Sequence, residues 1–309
     1  MPHYYSLGEI PPKRHTQFRQ PNGNLYHEEL FSTEGFSDMS SLLYHVHPPT
    51  KIKQVDEPYS VAPNVVRTKQ LKHRSLKGFH VEPMDDFLES RKAVLVNNDL
   101  HIVLASPRKS MTDYFYKNAD ADEMIFVHEG SGKVKTNYGE IEFVYGDYII
   151  IPRGVIYQIE FNDENNRLLI VESFSPIVYP NKYISKYGQL MEHSPFCERD
   201  IITPKNLQTH DEAGDFHIKI KKEGIIYPYH YAHHPFDLIG WDGCVYPWGF
   251  SIHNFEPITG RVHQPPPVHQ TFSARNYVIC SFCPRLFDYH PLAIPCLLYT
   301  SPSPRDIGE

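Results

Sequence analysis

With 19 histidines in 309 residues, this chain offers many places where imidazoles could hold a metal or carry a proton. The same abundance lets metal-like spacings arise by chance. Each is therefore judged by whether further donors can converge on one point. His45 and His47 lie two apart at the end of a strand candidate, Ser41 to Val46, and share one face. No third ligand is evident, and packing before the Pro48-Pro49 turn is the preferred reading. His217 and Glu223 have the His-x5-Glu spacing of a metal pair, but Lys219, Lys221 and Lys222 crowd the segment and oppose a dication. A solvated face is preferred there. In Tyr229-His-Tyr-Ala-His-His-Pro-Phe236, the imidazoles of His230, His233 and His234 cannot all point one way from an extended chain, so a packed aromatic loop is expected. Cys280-Ser-Phe-Cys283 is a lone C-x2-C inside an apolar strand, and buried free thiols are the default.

Composition narrows the partners. The net charge of -7 and the absence of a Lys/Arg block argue against nucleic acid and anionic membrane. No run approaches the ~20 apolar residues of a membrane span, and the N-terminus has no apolar core of signal-peptide length. Five cysteines without regular spacing suit a reducing compartment, so a soluble cytoplasmic protein is expected. Proline is frequent, 27 of 309, which disfavours long helices and multiplies turns. A chain this long can bury one large or two moderate cores.

The elements that must position any site are short strands. From Asn118 to Tyr157 apolar runs alternate with turns at Gly130-Ser-Gly132, Tyr138-Gly139, Gly146-Asp147 and Pro152-Arg-Gly154. β-Branched and aromatic residues bounded so regularly predict an antiparallel sandwich or barrel. Strands are also expected at Ala93–Val96, Leu100–Ala105 and Leu168–Phe174. Phe216 to Lys221 alternates as a half-buried strand. Short helices are expected at Met84–Ser90 and Tyr183–Glu192.

The spacing Glu123-x6-Gly130 followed by Gly146-x5-Pro152-x-Gly154-x2-Tyr157 resembles the two signature motifs of the cupin superfamily, a double-sheet jelly roll. A metal-binding cupin carries two histidines just before the Glu and a third at the position of Tyr157. Here the upstream positions fall in Tyr116-Lys-Asn118-Ala119, so Glu123 stands alone and this barrel is read as metal-free and structural.

Five blocks in family order resemble the bacterial branch of homogentisate 1,2-dioxygenase: Tyr4-Tyr5-x2-Gly8-Glu-Ile-Pro11, Arg14-His-Thr-Gln-Phe-Arg19, Leu43-Tyr-His45, Pro235-Phe-Asp-Leu-Ile-Gly-Trp241-Asp-Gly243 and Pro284-Arg-Leu-Phe287. The resemblance covers about residues 1–295. It implies an all-β double jelly roll with a few short helices, the first barrel metal-free and the second holding Fe(II). The activity it implies is insertion of both atoms of O2 into the ring of homogentisate, giving maleylacetoacetate in tyrosine and phenylalanine breakdown. The small aromatic substrate and O2 are the partners implied, within a homotrimer or hexamer.

In that family a His-x5-Glu pair and a later His form a facial triad with open positions, and a nearby His accepts the phenolic proton. The resemblance places the base and all three ligands after Pro295, so no metal ligand is assigned in this chain and no stable Fe(II) site is expected. His263, in Gly260-Arg-Val-His-Gln-Pro-Pro-Pro267, is the nearest candidate base still present, with His269 behind it. After Pro295 the chain reads CLLYTSPSPRDIGE, with no His. Its first eleven residues resemble one reading frame of a sequencing adaptor. Residues 296–309 are therefore expected to be artefactual, and resequencing that end tests this.

The expected organisation is an irregular and β segment over 1–60, a metal-free cupin barrel over 61–175 and a connecting segment over 176–248. Residues 249–295 read as the first strands of a truncated second cupin, with edge strands and one apolar face exposed. Two other functions remain open: a metal-free bicupin used for binding or as a scaffold, and a related cupin dioxygenase for another dihydroxylated ring such as gentisate.

Overall fold

The computed structural model describes residues 3–36, 39–67, 70, 75–257 and 269–283. The first third gives β1 (Tyr5–Gly8), β2 (His27–Phe31), β3 (Ser41–His45), β4 (Ile52–Val55) and β5 (Tyr59–Ser60). The centre gives β6 (Lys92–Val96), β7 (Leu100–Ala105), β8 (Phe115–Asn118), β9 (Asp122–Glu129) and β10 (Gly132–Thr136). It continues with β11 (Gly139–Phe143), β12 (Asp147–Ile151), β13 (Ile156–Phe161) and β14 (Arg167–Ser173). There follow β15 (Ile201–Ile202), β16 (Ala213–Lys222), β17 (Ile225–His233), β18 (Leu238–Gly243), β19 (Trp248–Ser251), β20 (Gln270–Ala274) and β21 (Tyr277–Cys280). Among the described residues there is no α-helix, only four single 3-10 turns.

Two large sheets build the barrel. One runs β15-β19-β12-β9-β14-β7-β6, the other β11-β10-β13-β8-β16-β17-β4 with β5 also on β17. Ile125, Ile150 and Ile170 of the first sheet share one core with Val134, Ile141 and Tyr157 of the second. The turns expected from sequence fall between these strands. Gly130, Gly146 and Gly154 adopt φ of +103°, +91° and +94°, a region that an L side chain rarely enters.

Residues 176–248, expected to connect two barrels, supply strands to every large sheet. β15 pairs with β19, which begins at Trp248 where the segment ends and extends the sheet beyond β12, and β16 joins the other sheet by parallel pairing with β8. Parallel pairing requires a distant segment to return. Local alternation marked β16 as a strand but carried no information about its partner. The pairing also covers what would be open edges at β12 and β8.

The helices expected at Met84–Ser90 and Tyr183–Glu192 do not form. The first is one turn, in which the Asp86 carboxylate accepts the Leu88 and Glu89 N–H groups at 2.9 and 3.0 Å. Tyr114 OH donates to the same carboxylate at 2.7 Å, and a single anchored turn nucleates no longer helix. The second is a 3-10 turn followed by a reversal, with Ile184 bridging Leu190 and Gly188 at φ +86°.

β1, β18, β3 and β2 form a separate four-stranded sheet. It joins sequence blocks more than 200 residues apart. Trp241 is fully buried, donates Nε1–H to the Tyr138 carbonyl at 2.8 Å and packs on Tyr5. The β1–β18 pairing leaves no room beside Gly240, where a Cβ would stand 2.0 Å from the Glu9 carbonyl oxygen. Gly240→Ala is therefore expected to cost about 1–3 kcal/mol, the usual range for overpacking. A urea midpoint equal to that of the parent would refute this packing.

The β20–β21 hairpin sends Phe272 and Ile279 into the main core and leaves Val278 and Phe282 exposed. Residues 284–309, including the tail after Pro295, lie outside the described residues, as does His263.

Candidate functional site

The two motif positions singled out by spacing, Glu123 and Tyr157, meet inside the first barrel. Glu123 lies on β9 and is fully buried, and Tyr157 OH donates to its Oε2 at 2.5 Å. Glu172 on β14 sits directly opposite Glu123 in the strand register. Two carboxylates so placed repel, and a cation must lie between them. That cation is Arg91, whose Nη1 is 2.7 Å from Glu123 and Nη2 2.8 Å from Glu172. Its guanidinium also lies over the rings of Phe87 and Tyr116, at 5.2 and 5.9 Å.

Lys221, arriving on β16, donates to Glu172 at 2.5 Å, and His101 Nδ1 stands 3.4 Å from the same carboxylate. Burial raises the Glu172 pKa, but Arg91, His101 and Lys221 outweigh it and hold the group well below the usual carboxylate range. Arg91 and Lys221 thus balance Glu123 and Glu172. Burial, reinforced by Glu123, pushes the phenols of Tyr116 and Tyr157 far above their ordinary value, so both stay protonated. Arg91, His101, Tyr116, Glu172 and Lys221 form the polar floor of a cavity of about 290 Å³ whose walls include Val61, Leu88, Val103 and Ile226.

The donor set there does not fit Fe(II) or Zn(II). It provides two carboxylates already paired, two protonated phenols, a guanidinium, an ammonium and a single imidazole, His101, which faces Glu172, with no histidine at the motif positions where a metal cupin has three. The Arg91 guanidinium already lies between the two carboxylates. Glu123 was legible from its spacing, and Glu172 could have been suspected as a lone acid in the apolar run Leu168 to Ser173. Arg91 gave no signal, because its approach depends on the anchored turn at Asp86.

The histidines noted in the sequence go to separate places. His45 Nδ1 is 2.7 Å from Asp237, and His45 Nε2 is 3.1 Å from Glu29. Burial disfavours the imidazolium, yet the two carboxylates prevail and raise its pKa to about 9. His47 stacks on His233 at 4.5 Å and pairs with Asp211 at 2.8 Å. His234 stacks on His210 at 4.0 Å, and burial followed by that neighbour lowers its pKa to about 4. His269, a candidate base, places Nδ1 3.1 Å from the Ser281 carbonyl and packs on Phe282. Burial raises the pKa of the Cys280 thiol, and Cys283 directs its Sγ to the Ile252 carbonyl at 3.8 Å. Glu223 sits in the β16–β17 turn at φ +54°, its N–H directed to Asp120, rather than beside His217.

Among the described residues one group of His, Cys, Asp and Glu side chains converges as metal donors do: Asp215, His217 and His230. It was missed in the sequence because the partner of His217 is two residues before it and on the next strand, not six residues ahead.

A fold of this kind, short antiparallel strands in a sandwich around Glu123 and Tyr157, places the chain among the cupin jelly rolls. Solved structures that it resembles locally include a cupin-2 domain protein from Shewanella frigidimarina, 24% identical over 27% of this chain and 79% of that one, TM-score 0.24. Another is a cupin superfamily protein from Desulfitobacterium hafniense, 18% identical over 35% of this chain and 98% of that one, TM-score 0.28. The sequence model for the N-terminal domain of homogentisate 1,2-dioxygenase matches residues 14–252. A Saccharolobus solfataricus protein named "Putative dioxygenase" is 40% identical over 296 residues, 96% of this chain and 76% of that protein. The chain belongs to the homogentisate 1,2-dioxygenase family, whose members are dioxygenase-type oxidoreductases. No helix among the described residues is long and apolar enough to cross a membrane.

Proposed function

We propose that this chain is part of a non-haem Fe(II) dioxygenase that opens the ring of homogentisate with O2 to give maleylacetoacetate. The match to the homogentisate 1,2-dioxygenase N-terminal domain over residues 14–252 is the observation that carries this reading. Fe(II), when bound, supplies the coordination positions at which the substrate oxygens and O2 meet. The first barrel is not assigned its ligands, because Arg91 and Lys221 together neutralise the carboxylates that an ion would need. The role assigned to the described residues is to fold and hold the scaffold. The protein is expected to act in the cytoplasm as a trimer or hexamer, which sedimentation velocity would measure.

The chain as written is expected to be inactive. The family triad needs two imidazoles and a carboxylate, and no His occurs after Pro295. Purified protein supplied with Fe(II), homogentisate and O2 should show no product absorbance above the enzyme-free rate. Turnover by this chain would overturn the assignment of the triad to positions after Pro295. A form carrying the His-x5-Glu and later His of the family should turn homogentisate over, and a preference for gentisate would reassign the substrate.

The internally neutralised barrel favours one other reading, a metal-free bicupin that serves as a binding or scaffold protein. Failure of the triad-bearing form to turn over either ring would support it.

A further inference from the structure

We propose that the face shared by β16, β17 and the end of β4 binds one divalent transition-metal ion of the Zn2+ type. The ligands assigned are His217 Nε2, His230 Nδ1 and one carboxylate oxygen of Asp215, with Asp56 orienting His230 from behind. This site does not depend on the Fe(II) reading, and it lies apart from the barrel floor.

Strand geometry brings the groups together. His217 and His230 are direct cross-strand partners, and Asp215, two residues before His217, shares its face. A bulge between Ala213 and Phe216 bends β16 where Asp215 sits. Asp215 Oδ2 stands 3.5 Å from His217 Nε2 and 3.2 Å from His230 Nδ1. All three donor atoms lie within 4.8 Å of one another. Bonds of about 2.0–2.1 Å in a tetrahedral zinc site set its ligands roughly 3.3 Å apart. The donors are therefore near ligand spacing before any ion arrives.

The surroundings also suit an ion. His230 Nε2 pairs with Asp56 Oδ2 at 2.8 Å, which leaves Nδ1 as the metal-facing nitrogen. A carboxylate behind a ligating imidazole fixes its tautomer and ring orientation. Asp56 is itself held, since Gln54 Nε2 donates to its other oxygen at 2.5 Å. Two of the three lysines that argued against a metal here, Lys219 and Lys221, are engaged elsewhere. Lys219 lies over the Tyr114 ring at 3.8 Å and Lys221 reaches Glu172 inside the barrel. Lys53 approaches Asp215 only at 4.0 Å and on Oδ1. His217 and Asp215 are half exposed, so the remaining coordination positions face solvent. An ion there would tie β16 to β17.

The test is calorimetric titration of chelator-stripped full chain with Zn2+ alone, repeated on His217→Ala, Asp56→Asn and a Cys280→Ser/Cys283→Ser control. One ion per chain is expected for the parent and for the cysteine control. Asp56→Asn should weaken binding by about 10–100-fold, as loss of an outer carboxylate does, and His217→Ala should weaken it further. Because both positions are solvent-accessible, the variants should keep the parent circular dichroism. Co2+ in place of Zn2+ should give weak visible bands without intense thiolate charge transfer. Absence of a one-to-one site, equal affinity in His217→Ala, or a thiolate band would each overturn the proposal.

Discussion

Replacing Arg91 with methionine is expected to destabilise the protein by about 3–5 kcal/mol, the range found when one partner of a buried ion pair is removed. Glu123 and Glu172 are almost fully buried and face each other across β9 and β14. Without the guanidinium they repel in a medium that screens poorly, and only Lys221 and His101 remain beside Glu172. The double variant Arg91→Met with Glu123→Gln should recover much of the loss. It removes one charge of each sign and leaves the Lys221–Glu172 pair intact. Urea unfolding followed by tryptophan fluorescence checks both variants. If Arg91→Met unfolds within about 1 kcal/mol of the parent, the guanidinium is not what holds the carboxylates together.

Stability should also fall as pH rises from about 6.5 through 9, because of His45. Its folded pKa of about 9 exceeds the ordinary 6.5, so the protonated form is favoured by folding. The contribution is complete below pH 6.5 and is lost as the imidazolium deprotonates on the way up. At 1.36 kcal/mol per unit the shift corresponds to about 3 kcal/mol, reduced towards about 2 because Glu29 is partly exposed and screened. Asp237 is the stronger partner: it is buried, and its second oxygen accepts the His47 N–H at 2.8 Å. Urea midpoints measured across this window should decline in the parent and decline less steeply in His45→Gln. An equal slope in the two proteins would assign the dependence to other groups.

His45 and Asp237 also show how much of the family resemblance has a physical meaning. The blocks containing Tyr5, Leu43 to His45 and Pro235 to Gly243 were recognised one at a time, yet they pack as a single unit. β1, β18 and β3 are neighbours in one sheet, Asp237 holds His45, and Tyr5 packs on Trp241. What looked like scattered matches are the parts of one tertiary contact.

The local content of the fold was readable from the chain alone. Strand length, turn position and the need for glycine at positive φ are set by residues within a few positions of one another, so Asn118 to Tyr157 could be laid out correctly from its pattern. That no histidine stands at the motif positions around Glu123 was equally readable, because motif spacing is a one-dimensional property. Three features were decided only by tertiary structure. β16 pairs in parallel with a strand about 100 residues earlier, Arg91 enters the barrel from an anchored turn, and the partners of His217 are Asp215 and a cross-strand His230 rather than Glu223. Each depends on which strands become neighbours. That choice is made by burying one shared core and covering open sheet edges, and no short window of sequence records it.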